Sequence, residues 1–73
     1  MRLTTREDVI KAGYDAINAR GDKDFFTMLE NRVEEYGNQR KRVDEVSFWF
    51  RDVKKNFETM TIEKFNDSLS NLP

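Results

Sequence analysis

The side chains that most often do chemistry are missing from this chain, and what remains is carboxylates, amines and aromatic rings. It has no cysteine and no histidine. That removes the thiolate nucleophile, the general base poised near neutral pH and the commonest metal ligand. Among the adjacent carboxylates are the pairs Glu34-Glu35 and Asp44-Glu45. Neighbouring side chains on a helix point about 100° apart, so neither pair converges on one proton as acid–base catalysis requires. Both read as solvated surface. No glycine-rich phosphate loop, metal-spaced ligand set or nucleophile–base pair can be picked out. The residues predict no enzyme, no cofactor and no metal.

Binding chemistry is a better match. Residues 1–39 carry six basic and eight acidic groups, residues 40–55 six and three, and residues 56–73 one and three. The basic middle consists of Arg40, Lys41, Arg42, Arg51, Lys54 and Lys55, with Phe48 and Trp49 between them. Such a segment could touch phosphates and stack on bases. The spacing also predicts i,i+4 ion pairs, Lys41 with Glu45 and Arg40 with Asp44, which would neutralise part of that charge.

Phe48 is the more informative residue. Val43, Val46, Phe50, Val53, Phe57 and Met60 recur at 3, 4, 3, 4 and 3, an a/d seam in heptad terms. Phe48 then falls opposite the seam, among Lys41, Asp44, Glu45, Arg51, Asp52 and Lys55. A ring amid charges has the make-up of a docking anchor with a polar rim. The expected protein-binding patch is Phe48, with Trp49 on its flank and Lys41, Glu45, Asp52 and Lys55 around it. The competing reading is that another segment folds over Phe48 and buries it. Arg32 is the reverse case, a guanidinium within an apolar helix face. Its stem should pack on the core while its head reaches water.

The elements that would position these residues are helical. Thr4-Thr5-Arg6-Glu7 reads as a capping box with Glu7 reaching back. Behind it Val9, Ile10, Ala12, Gly13, Ala16 and Ile17 share one helix face. Gly21 supplies a left-handed stop and Asp22 an N-cap. A second helix runs from about 23 to 36, with Phe25, Phe26, Met28, Leu29, Val33 and Tyr36 as its apolar side and Gly37-Asn38 as its end. A third spans about 39–59. Val46, Phe48 and Phe50 also alternate as in a strand, but the longer heptad agreement favours a helix. Thr61 caps a fourth over about 62–70, with Met60 and Phe65 placed for a hydrophobic staple. The expected fold is all-α, a small three-helix bundle with a short fourth C-terminal helix, in one domain over 1–73.

With 73 residues, 37% of them apolar and 37% charged, the chain can bury only a modest core. Its nine aromatic residues and formal charge of −1 favour packing over disorder and give no global attraction to nucleic acid or anionic membrane. No apolar run is long enough to span a bilayer and no leader-like segment opens the chain, so a cytoplasmic location without membrane contact is the default. The long seam leaves a two-fold homodimer as open as a monomer.

Two stretches resemble known families. Asp8–Leu29, DVIKAGYDAINARGDKDFFTML, is similar to the opening helical hairpin of the SnoaL-like cone fold, whose long curved sheet has no room in the rest of the chain. Trp49–Leu69 more faintly resembles the Hha/YmoA modulators of nucleoid proteins, with Thr61, Lys64 and Asp67 at comparable places. Asp52-Val53-Lys54-Lys55 stands where that family has an acidic, histidine-containing stretch. Taken together, the residues predict a small helical regulator or adaptor that docks on another protein. The alternative is a nucleic-acid-associated protein using residues 40–55.

Overall fold

A computed structural model describes residues 3–73. The fold is all-α. Its helices are α1 (Arg6–Asn18), α2 (Lys23–Arg40), α3 (Val43–Lys55) and the short α4 (Ile62–Ser68), with single 3-10 turns at Phe57–Thr59 and Leu69–Asn71. There is no strand among the described residues. α1 packs on α2 and α2 on α3, while α4 lies across α1 and α3.

The capping box forms one residue later than the sequence suggests. Thr5, not Thr4, is the N-cap, and Asp8, not Glu7, returns the bond: Asp8 N–H donates to Thr5 Oγ1 and Thr5 N–H to Asp8 Oδ2, at 3.2 and 2.9 Å. Thr4 is instead buried, with its N–H donating to Gln39 Oε1 at 2.7 Å. Gly21 turns the chain at φ 100° and Asp22 caps α2 as expected.

The largest correction is at the α2–α3 corner. Gly37-Asn38 does not end α2, which continues to Arg40. A glycine costs about 1 kcal/mol within a helix relative to alanine, but here it lies close against α3. A Cβ at Gly37 would lie 3.3 Å from Cβ of Val46 and 3.5 Å from Cα of Val43. The chain turns at Lys41 instead, in the left-handed region at φ 58°. Lys41 N–H reaches the Asn38 carbonyl at 3.3 Å and Arg42 N–H the Gly37 carbonyl at 3.0 Å, the two bonds of a Schellman stop. α3 therefore starts at Val43 rather than near 39. It ends at Lys55 rather than 59, because Asn56 turns the chain into the 3-10 turn.

One core joins all four helices. Val9, Ala12, Ala16 and Ile17 of α1 meet Leu29, Val33 and Tyr36 of α2 and Val46, Trp49, Phe50 and Val53 of α3, and Met60, Phe65, Leu69 and Leu72 close it. Phe65 is fully buried. Its ring lies directly on Gly13, where a Cβ would fall within the ring's van der Waals envelope. Of the expected seam, Val46, Phe50, Val53 and Met60 are covered within a single chain and Phe57 partly so, while Val43 at its start is exposed because α3 only begins there. Phe25 and Met28, expected on the apolar side of α2, are exposed.

The last segment is fastened by side-chain donors. Arg6 gives one guanidinium nitrogen to the Leu72 carbonyl at 3.0 Å and the other to the Leu69 carbonyl at 2.6 Å. Arg20 reaches the carbonyls of Glu58, at 2.8 Å, and Met60, and sits over the Phe57 ring. Tyr36 Oη donates to the Pro73 carbonyl at 2.7 Å, and Tyr14 Oη to Asn66 Oδ1. All but the Tyr14 bond satisfy main-chain carbonyls that short helical pieces and turns leave open.

Candidate functional site

α3 positions the candidate residues because its two sides differ so sharply. Val46, Trp49, Phe50 and Val53 recur at helical spacing and face the core, while Phe48, two residues from Val46 and from Phe50, is turned away from it. Phe48 is 66% exposed, the most open of the nine aromatic side chains. Of the other aromatic rings only that of Phe25 is also exposed, at 38%. The reading in which another segment covers Phe48 is thereby excluded.

Trp49 does not extend the exposed patch. It is 4% exposed and belongs to the core, tilted against Phe65 with ring centroids 6.0 Å apart and stacked on Phe50 at 6.2 Å. Its indole N–H donates to the Ser68 carbonyl at 2.8 Å. A buried indole needs such an acceptor, and the final turn of α4 supplies it. Trp49 therefore forms the inner wall of the site rather than its rim.

Phe48, Glu45, Trp49 and Asp52 line a hollow of about 250 Å³ between α3 and the C-terminal segment, which contributes Ser68 and Asn71. Glu45 and Asp52 stand three before and four after Phe48, one turn to either side of the ring. Among the described residues no basic side chain lines the hollow. Of the six residues expected in the protein-binding patch, the structure brings Phe48, Trp49, Glu45 and Asp52 together. Lys41 lies in the α2–α3 turn and Lys55 at the far end of α3, so neither belongs to the hollow. Ser68 and Asn71 were not foreseen. Only the fold brings them within reach, and the one sequence signal was a lone tryptophan that must find a hydrogen-bond acceptor.

The basic segment is divided. Arg40, Lys41 and Arg42 gather at the corner, and Arg51, Lys54 and Lys55 lie in the last turns of α3. The expected ion pairs of Lys41 with Glu45 and Arg40 with Asp44 do not form as i,i+4 helix pairs, because the left-handed residue between α2 and α3 breaks the register. Arg42 pairs with Glu45 at 3.0 Å instead, and the Arg40 guanidinium lies 4.4 Å from the centroid of the Tyr36 ring. Lys54 sits over the Phe50 ring, on the side of a groove that also holds Glu30 and Glu34. From Arg42 to Arg51 the helix rises roughly 13 Å, and Asp44, Glu45 and Phe48 intervene. That arrangement does not make a continuous cationic stripe.

Elsewhere, Arg32 lines a shallow surface hollow together with Met28 and pairs at its tip with Glu35 at 3.1 Å, in an exposed i,i+3 bridge. Among the described residues no three acidic, histidine or cysteine side chains converge as metal ligands. No helix of the described residues is long and apolar enough to cross a membrane.

Set against protein-family models, curated proteins and solved structures, the chain matches none of them. The helical hairpin of residues 8–29 exists, but without a sheet it carries no SnoaL-like pocket, and the likeness of residues 49–69 to the Hha/YmoA proteins gains no support.

Proposed function

We propose that this protein works by binding rather than by catalysis, as a small helical module that docks on another protein through the outer side of α3. The observation that carries the reading is the 66% exposure of Phe48 among charged neighbours. Leaving a phenylalanine in water forgoes roughly 1.5–3 kcal/mol of burial, and the helix beneath it is well packed, so the ring is not loose core. Aromatic anchors ringed by polar groups concentrate binding energy at protein interfaces. The divided basic segment favours this reading over nucleic-acid contact, since phosphate tracking needs cations in a continuous run.

The test is Phe48→Ser. Its folding stability should stay within about ±0.5 kcal/mol, as for exposed positions away from caps, measured by urea denaturation. Proteins that co-purify with the unaltered chain from its native host should be lost from the variant, in keeping with a hot-spot effect of about 2 kcal/mol or more. Retention of the same partners would remove α3 as the docking face. Steeply salt-dependent binding to generic DNA or RNA would favour the nucleic-acid alternative.

A further inference from the structure

The docking face has a chemistry of its own, and it points to one kind of side chain on the partner. Among the described residues the hollow beside Phe48 is lined by an aromatic ring, two carboxylates and an amide side chain, with no basic side chain in its wall. The Asp52 carboxylate takes part in no ion pair of the described residues, and the Asn71 amide makes no hydrogen bond there. The Ser68 hydroxyl is already spent on the Phe65 carbonyl at 2.7 Å. The unmet capacity is therefore mainly for acceptors: Asp52, Asn71 Oδ1 and the outer lone pairs of Glu45.

Glu45 also shows what it prefers. Both of its oxygens lie within 3.2 Å of Arg42 Nη1, so this carboxylate already holds a guanidinium from its own chain. That pair is more than half exposed on each side, and such pairs contribute little to folding. It can be exchanged for a better-placed partner at small cost.

We propose that this hollow receives an arginine side chain of the docking protein. The guanidinium stacks on the face of Phe48, donates to Asp52 and Glu45 on either side of the ring, and offers a remaining N–H to Asn71. A planar cation with five donors and weak hydration fits a ring flanked by carboxylates better than a compact ammonium does. The inference rests on the docking reading of α3 and adds the chemistry of the partner to it.

The probe is the capped tripeptide acetyl-Gly-Arg-Gly-amide, titrated into the ¹⁵N-labelled full chain beside its citrulline counterpart, which keeps the shape and loses the charge. The indole N–H of Trp49, the chain's only tryptophan, forms the wall of the hollow and gives one resolved reporter. The arginine peptide should move this resonance and the Phe48 amide to saturation, and the citrulline peptide should not. Asp52→Asn or Phe48→Ala should each weaken the arginine peptide about threefold, the size of an exposed ion pair or cation–π contact, and raised salt should weaken it for the unaltered chain as well. Equal response to citrulline, indifference to salt, or an unchanged midpoint in the combined Glu45→Gln/Asp52→Asn variant overturns the proposal. Partner capture separates the two levels. Native-host partners lost from Phe48→Ser but kept by the double carboxylate variant retain the docking face and overturn the arginine site. Partners kept by Phe48→Ser overturn both.

Discussion

The α1–α2 hairpin and the segment from Phe57 to Pro73 are fastened in different ways, although both share the one core. The hairpin is held by small and branched side chains meeting along two helices, Val9, Ala12, Ala16 and Ile17 against Leu29 and Val33. Every contact joins neighbours in the chain through a tight turn. The C-terminal segment has only seven residues of α-helix, too few to stand alone. Besides Met60, Leu69 and Leu72 in the core, it is held by one large ring on a glycine and by arginine, tyrosine and tryptophan donors from the rest of the chain. Apolar burial is forgiving of which residues supply it, whereas a guanidinium aimed at two carbonyls depends on its geometry. The hairpin is the generic part of the molecule and the final segment the specific one.

Removing the ring should break the contrast most. Phe65→Ala should cost roughly 3–5 kcal/mol, the usual toll for a fully buried phenylalanine, against a total of about 5–15 kcal/mol for a small domain. Thermal unfolding followed by far-ultraviolet circular dichroism would measure it, and a loss under about 1 kcal/mol would mean that the segment is not seated on Gly13 as described. Arg6→Ala should have a smaller and more local effect. It removes two charge-assisted bonds at a half-buried site, worth about 2 kcal/mol together. Amide hydrogen exchange should quicken over residues 62–72 while the inner turns of α2 stay protected. Uniform quickening across both regions would show that the two are not separately fastened. The smallest effect has the opposite sign. Lys41 holds a left-handed backbone that glycine adopts without steric cost, so Lys41→Gly should stabilise the chain by about 0.5–1 kcal/mol, read as a raised denaturant midpoint. A loss of stability would mean that the lysine side chain contributes something at the corner that its geometry does not reveal.

The same contrast explains what could be read from the sequence. The turn of the hairpin was legible, because the Asp22 cap and the Gly21 turn are local signals that tertiary structure had no cause to override, although the α1 cap lies one residue further on and Phe25 and Met28 of α2 are exposed. α3 was legible in its face but not in its ends. Gly37 looked like a stop because glycine usually is one; only the approach of Val46 gives it a place inside α2, and that approach lies nine residues away in sequence. Lys41 carried no mark of a left-handed stop, since lysine is an ordinary helix former. Phe48 was placed correctly by its offset from the seam. Trp49, one position on, was misplaced on the flank because the segment that covers it, ending in Ser68, is tied down by contacts that no local pattern encodes. The pairs Arg6–Leu72, Tyr36–Pro73 and Thr4–Gln39 span 66, 37 and 35 residues.

Those long spans bear on how the molecule's lifetime is set. Closing a loop of more than 60 residues delays a contact until most of the chain is already ordered. The two Arg6 bonds should then form after the rate-limiting step of folding and be among the first released in unfolding. Arg6→Ala should leave the refolding rate nearly unchanged and raise the unfolding rate by most of the lost stability, roughly thirtyfold for about 2 kcal/mol. On a chevron plot only the unfolding arm would move. The clasp would thus govern how long each molecule stays folded and contribute little to how quickly it becomes so.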